Sequence, residues 1–188
     1  MPRSGPHVVT GGWSRRLAAR HDGRMKRASH TLTYPGATVH DVFAMFADPA
    51  YRKAVSDYQR VVDFDCRISM NGDGMDVQLE QAHATDRIPG FAQKLVGHEI
   101  RFVQRETWTS PSAADIHVSI PGKPGEMGGT ETLTQSGDDV VQRVDLSVKV
   151  PMPIVGGKIE DLIAGFIGKA FDAENKVGVK WPAGEWRA

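Results

Sequence analysis

PMPIVGGKIEDLIAGFIGKAFDAENKVGVKW, Pro151 to Trp181, decides how this chain reads. After the Pro151-Met152-Pro153 entry, Ile159, Leu162, Ile163, Phe166, Ile167, Ala170, Phe171, Glu174 and Val177 recur at helical spacing. Lys158, Asp161, Lys169, Asp172 and Lys176 fall largely elsewhere on the wheel. The spacing predicts one amphipathic helix from about Val155 to Trp181, closing a chain whose preceding segments are strand-like. A long helix after a meandering sheet suggests a sheet wrapped around that helix, with a pocket between them that suits an apolar ligand. Gly165 and Gly168 interrupt the helix at a cost of about 1 kcal/mol each against Ala. They read either as close packing of helix on sheet or as space for a bound molecule.

Working back from the helix, the body begins with alternation over Ala28–Tyr34, stopped by Pro35-Gly36. Thr38 with Asp41 resembles a capping box, and Val39, Val42, Phe43 and Phe46 form the buried stripe of a short helix. Asp48-Pro49 opens a second short helix, with Asp as N-cap and Pro at the first helical position. Strands follow. Val62, Phe64, Cys66, Ile68 and Met70 share one face, and Asn71-Gly72-Asp73-Gly74 is a strong hairpin signal. The return strand puts Met75, Val77, Leu79 and Gln81 together. Ile88-Pro89-Gly90-Phe91, with Leu95 and Val96, reads as a short helix or lid. Further strands carry Ile100, Phe102, Gln104, Glu106 and Trp108, then Ile116, Val118 and Ile120, then the Thr-rich Gly129–Gln135, and finally the alternating residues from Val140 to Val150. Strands joined mainly by hairpins imply an α+β protein with a curved antiparallel sheet of six to seven strands.

The pattern is informative where it breaks. Gln81, Gln104, Glu106 and Gln142 occupy the inward register of otherwise apolar faces. An unpaired buried amide or carboxyl costs roughly 1–3 kcal/mol, so each needs a partner or water. Such groups suit a pocket with a few fixed polar contacts in an apolar wall. They equally suit strand ends that meet solvent, because one residue of slip reverses a strand's face.

Composition is that of a globular protein, 40% hydrophobic and 24% charged, with zero formal net charge. The charge is unevenly spread: residues 1–27 hold Arg3, Arg15, Arg16, Arg20, Arg24, Lys26 and Arg27 against Asp22 alone, net +6. Residues 1–25 therefore read as a basic, disordered extension, as the product of a start upstream of Met25, or as a segment resembling an organellar transit peptide, outside the folded domain at 26–182. Residues 183–188 read as a tail. With no apolar run near the ~18 residues of a membrane span and no secretory h-region, the expected location is the cytoplasm. The single cysteine, Cys66, excludes an intrachain disulfide framework.

Chemistry-bearing motifs are absent. The seven histidines lack metal-ligand spacing, there is no G-x-S-x-G elbow, and Gly156-Gly157-Lys158 continues into Ile159 rather than the Ser or Thr of a phosphate loop. No metal and no cofactor is expected. Aromatics do not interleave with basic residues in the body, which argues against nucleic acid as a partner.

The order of elements resembles the START-like superfamily, whose helix-grip fold includes polyketide cyclases/dehydrases and lipid-transfer domains. More narrowly, Phe46-Ala47-Asp48-Pro49-Ala50-Tyr51, Ile88-Pro89-Gly90-Phe91, Glu106-Thr107-Trp108, Pro121-Gly122-Lys123-Pro124 and Pro153-Ile154-Val155-Gly156-Gly157-Lys158-Ile159-Glu160 resemble an actinobacterial branch of unknown function. The resemblance implies a cavity between sheet and long helix and the binding of a hydrophobic small molecule or lipid. It carries over no catalytic residues. The residues expected at the ligand are Phe64, Leu79, Phe102, Trp108, Leu146, Leu162 and Phe166 as wall, with Gln81, Gln104, Glu106 and Gln142 as polar handles. Phe91 belongs to the Ile88–Val96 gate. One alternative is a small cyclase or dehydratase-like enzyme with Glu106 as general acid/base, helped by His83 or His117. Another is a protein-interaction domain whose cavity is filled by its own side chains.

Overall fold

Strand 1, β1 (Lys26–Tyr34), leads into α1 (Val39–Phe46) and α2 (Pro49–Gln59), which carry the chain across the molecule. There follow β2 (Asp63–Asn71), β3 (Gly74–Ala84), α3 (Gly90–Val96), β4 (Glu99–Ser110), β5 (Ala113–Ser119), β6 (Glu126–Ser136), β7 (Asp139–Lys149) and α4 (Gly156–Lys180). The computed structural model describes residues 25–86 and 88–182. The basic extension expected over 1–25, apart from Met25, and the tail at 183–188 lie outside the described residues.

Among the described residues, seven strands form one antiparallel sheet in the order β1-β7-β6-β5-β4-β3-β2. Every neighbouring pair from β2 to β7 is sequential, so hairpin and short-loop connections build most of it. The two helices after β1 are what place β1 and β2 on opposite edges. Local chemistry explains where these elements start. Thr38 accepts the Asp41 N–H at 3.2 Å while Asp41 accepts the Thr38 N–H at 2.9 Å, a complete capping box on α1. Asp48 accepts the Ala50 N–H at 2.8 Å and caps α2 ahead of Pro49. At the β2–β3 turn Gly72 takes φ +61°, a conformation glycine adopts without a Cβ penalty.

The concave face of the sheet and the inner face of α4 enclose two apolar clusters. At one end, Val42, Phe43, Phe46, Tyr51, Val55, Met75, Val77, Leu79, Trp108, Leu133, Val140 and Val177 pack together, bringing α1, α2 and the last turns of α4 onto the sheet. At the other, Leu32, Ile116, Val118, Val144, Leu146, Val148, Val150, Ile167 and Phe171 form a second cluster under the middle of α4. Phe102, Met127, Met152, Ile159 and Ile163 lean on that cluster but remain partly open.

Helix α4 packs chiefly on β1 and α2, and less on β7. It comes close to β1 and α2 at Gly178, where a Cβ would lie 2.6 Å from Tyr34 Cε1 and 3.1 Å from Tyr51 Oη. Of the two glycines singled out in the sequence, Gly168 faces His30, whose ring would be 3.0 Å from an added Cβ. Gly165 has nothing within 4 Å.

A candidate ligand site beside a buried polar clamp

Alternation along β4 turns Phe102, Gln104, Glu106 and Trp108 to the concave side. Cross-strand register then aligns Trp108 with Ala114, Ala114 with Glu131, and Glu131 with Val144. Glu106 and Glu131 thus stand two strands apart on one inner surface. Helix α2 delivers Arg52 toward them from the Asp48-Pro49 cap, on the same face as Val55. Helix α4 delivers Glu174 from the stripe that carries Phe171 and Val177.

These groups bond into one buried network. The guanidinium of Arg52 forks onto Glu106, donating from Nη1 to Oε1 at 3.1 Å and from Nη2 to Oε2 at 2.7 Å. Its Nε donates to the Phe46 carbonyl at 2.8 Å, and its Cζ lies 5.2 Å from the Phe46 ring centre. Glu106 also accepts Gln104 Nε2 at 2.8 Å and Trp108 Nε1 at 2.9 Å. Gln142, fully buried at 0% exposure, donates through Nε2 to Glu131 at 2.8 Å and to Glu174 at 3.0 Å. Its carbonyl oxygen accepts the Tyr34 hydroxyl at 2.8 Å. Tyr51 donates to the Glu174 backbone carbonyl at 3.0 Å.

Three carboxyl groups gather near one guanidinium, and burial shifts two of them, Glu131 and Glu174. Burial, followed by the charges of Glu174 and Glu106, pushes Glu131 well above the usual carboxylate range against the pull of Arg52 and Gln142. Burial also raises Glu174, although the nearby Arg52 and the Gln142 amide hold it back. Burial works to neutralise Arg52, but the charges of Glu106 and Glu174 outweigh it and raise its pKa. Burial raises both Tyr34 and Tyr51 well above the ordinary phenol range. Burial therefore favours the protonated carboxyl at Glu131 more strongly than at Glu174. Four donors converge on the two oxygens of Glu106 and clamp it in place.

The partly open end of the interior is chemically plainer. Gln81 pairs in register with Phe102 on β4 and with Phe64 on β2. His83 Nε2 lies 3.3 Å from Gln81 Oε1, and its ring meets the edge of Phe102 with centroids 5.6 Å apart. Burial lowers the His83 pKa, favouring the neutral imidazole. Burial likewise raises the Cys66 thiol, which keeps it from the reactive thiolate form.

Of the residues expected at the ligand, Gln104, Glu106, Trp108 and Gln142 are joined in the one polar network. Leu79 and Phe64 belong to the cluster at the closed end, while Leu146 and Phe102 belong to the second cluster. Gln81 stands half-buried beside His83. Leu162 is half-buried on a flank of α4, and Phe166, at 39% exposure, lies under the ammonium of Lys169 rather than in a wall. Phe91 on α3 is 40% exposed. Arg52, Glu131, Tyr34 and Tyr51 do not stand out as site residues in the sequence, and Glu174 sits there on the inner stripe without a role. Signals existed for three of these five: Arg52 shares helical spacing with Val55, Glu131 alternates with Leu133, and Glu174 interrupts an apolar stripe. Among the described residues, no group of three or more His, Cys, Asp or Glu side chains is arranged to hold a metal ion. No described helix is long and apolar enough to cross a membrane.

Similarity to known proteins agrees with this architecture. A family model described as "Protein of unknown function (DUF2505)" matches residues 29–181. No curated protein matches the chain. Among solved structures, Zhui aromatase/cyclase from Streptomyces sp. R1128 is similar at a TM-score of 0.57 and 12% identity, covering 87% of this chain and 94% of that one. Norcoclaurine synthase from Thalictrum flavum, in complex with dopamine and hydroxybenzaldehyde, gives 0.55 and 18%, covering 94% and 98%. TTHA0849 from Thermus thermophilus gives 0.56 and 14%, covering 82% and 94%. At such identities the likeness establishes the fold alone, a helix-grip arrangement of an antiparallel sheet and a long C-terminal helix.

Proposed function

The chain belongs to the DUF2505 family, and we propose that it binds an apolar small molecule or lipid between the sheet and α4, as a carrier or sensor rather than a catalyst. One observation carries this reading: a bonded polar cluster closes one end of the interior, while at the other the residues between sheet and α4 are apolar and in part only half-buried. Around Arg52 and Glu106 the inward polar groups are bonded to one another, whereas Phe102, Met127, Ile159 and Ile163 lean on the second cluster and are only partly buried. Apolar area left partly open in a concave site gains roughly 25 cal/mol for each Å² that a ligand removes from water. Gln81 and Gln104 flank this surface and supply a few polar contacts to orient the guest. Glu106 forms the floor of the site, in keeping with its clamped state, so an acid/base role for it finds no support in the geometry.

The experiment is native mass spectrometry of freshly purified protein, followed by organic extraction and identification of whatever is released. An apolar adduct lost on extraction is the expected result. A bare mass, together with no saturable uptake of an apolar fluorescent probe such as phenylnaphthylamine, would favour the filled-core interaction domain instead.

A further inference from the structure

Register and turn geometry fix where the backbone of the last strand in the sheet points. Asn71 and Gly74 are paired across a two-residue turn, so they exchange both of their hydrogen bonds. An antiparallel ladder alternates from there, and Ser69, Arg67 and Asp65 direct their N–H and C=O groups to β3. Phe64, Cys66, Ile68 and Met70 direct theirs off the sheet, where no further strand lies among the described residues.

The opposite edge is attended. Helix α4 packs on β1, and Asn175 Nδ2 donates to the Thr33 carbonyl at 2.8 Å. Strand β2 lacks the residues that commonly guard an edge: it runs nine residues without Pro, Gly or Lys. Apolar side chains at its two ends are open, Val62 at 61% and Met70 at 59% exposure. Phe64, Cys66 and Ile68 between them are only half-buried. Such an edge is a template for another strand.

The charges of β2 select that strand. Asp65 and Arg67 share the outer face of the sheet, paired at 3.0 Å and both exposed. In an antiparallel pairing of two β2 strands about a twofold axis, the outward-directed residues must bond to one another, which leaves few registers. Centring the axis on Asp65 or on Arg67 sets a like charge against itself. Centring it on Phe64 sets Asp63 against Asp65, and centring it on Ile68 sets Arg67 against Ser69. Centring it on Cys66 sets Asp65 against Arg67, and the twofold makes that attractive pair twice.

We propose that the β2 edge is the interface of a homodimer, joining two seven-stranded sheets into one across a twofold axis at Cys66. Phe64 then bonds through its backbone to Ile68 of the second copy, and exposed Val62 lies beside Met70 of the second copy. The interface goes beyond the ligand reading and does not depend on it, since it uses the edge of the sheet rather than the space under α4.

The test is sedimentation equilibrium of the full chain from low micromolar to near-millimolar concentration, where a reversible monomer–dimer equilibrium is expected. Arg67→Asp turns both cross-strand pairs repulsive and should weaken the dimer at least about tenfold. Its circular dichroism should not change, because the Arg67 side chain is exposed. Adding Asp65→Arg exchanges the two charges and should restore the dimer. Register is read separately: in a Cys66→Ala chain, Asp63→Cys with Ser69→Cys forms a wide pair across the axis, with Cα atoms about 4.5 Å apart. Mild oxidation should trap that variant as a covalent dimer. A monomer at every concentration, a dimer indifferent to Arg67→Asp, or a charge exchange that fails to restore it would overturn the proposal.

Discussion

Arg52 makes its charge tolerable in the core by spending its donors on Glu106 and the Phe46 carbonyl. Such a pair contributes little net stability, yet breaking it leaves an uncompensated buried charge. Arg52→Met should therefore destabilise the fold by about 3–5 kcal/mol in denaturant unfolding, and adding Glu106→Gln should recover part of the loss. Glu131 gives a pH signature. Its pKa is higher folded than unfolded, so the folded state binds the extra proton. The associated stability is full below the unfolded carboxyl range, near pH ~4, and is lost as pH rises through the folded value. Glu131→Gln removes this proton, so its stability advantage over the parent should grow from about pH 5 upward, by at most about 1.4 kcal/mol per pH unit. Glu174 is raised in the same direction and leaves a residual slope in the variant. Urea titrations across that pH range measure the difference, and a constant offset would contradict a proton held on Glu131.

Elements were more legible in the sequence than the contacts between them. Period-two alternation, the Gly72 turn and the Thr38 and Asp48 caps are local, and each appears in the structure where its residues place it. Which glycine of α4 matters is not local, because it depends on what lies across the interface. Gly178 carries no sequence signal, yet it meets Tyr34, Met45 and Tyr51, whereas Gly165 meets nothing. Gly178→Ala should cost about 1–3 kcal/mol by overpacking, despite the gain in helix propensity. Gly165→Ala should instead stabilise by up to about 1 kcal/mol. Thermal unfolding of the two variants side by side checks both signs. The polar clamp was half legible for a related reason. Gln104, Glu106 and Gln142 break strand alternation visibly, but their partners Arg52 and Glu174 come from helices, where one polar residue on a stripe does not reveal what it will face.

For the whole molecule, the sheet and α4 form one container with unlike ends. Arg52, Glu106, Glu131, Gln142 and Glu174 close it from α2 to β7, and Phe102, Ile159 and Ile163 at the other end are only partly buried. In the proposed carrier, closure on one side would give a ligand a fixed floor, and α3 and the 150–155 loop are the segments that adjoin the other side. The most direct test of this division is a methyl-labelled NMR titration with phenylnaphthylamine. We predict saturable shifts at Met127, Ile159, Leu162 and Ile163, with Val42, Val140 and Val177 unmoved. Shifts centred on those three valines, or no saturable shift at all, would contradict it.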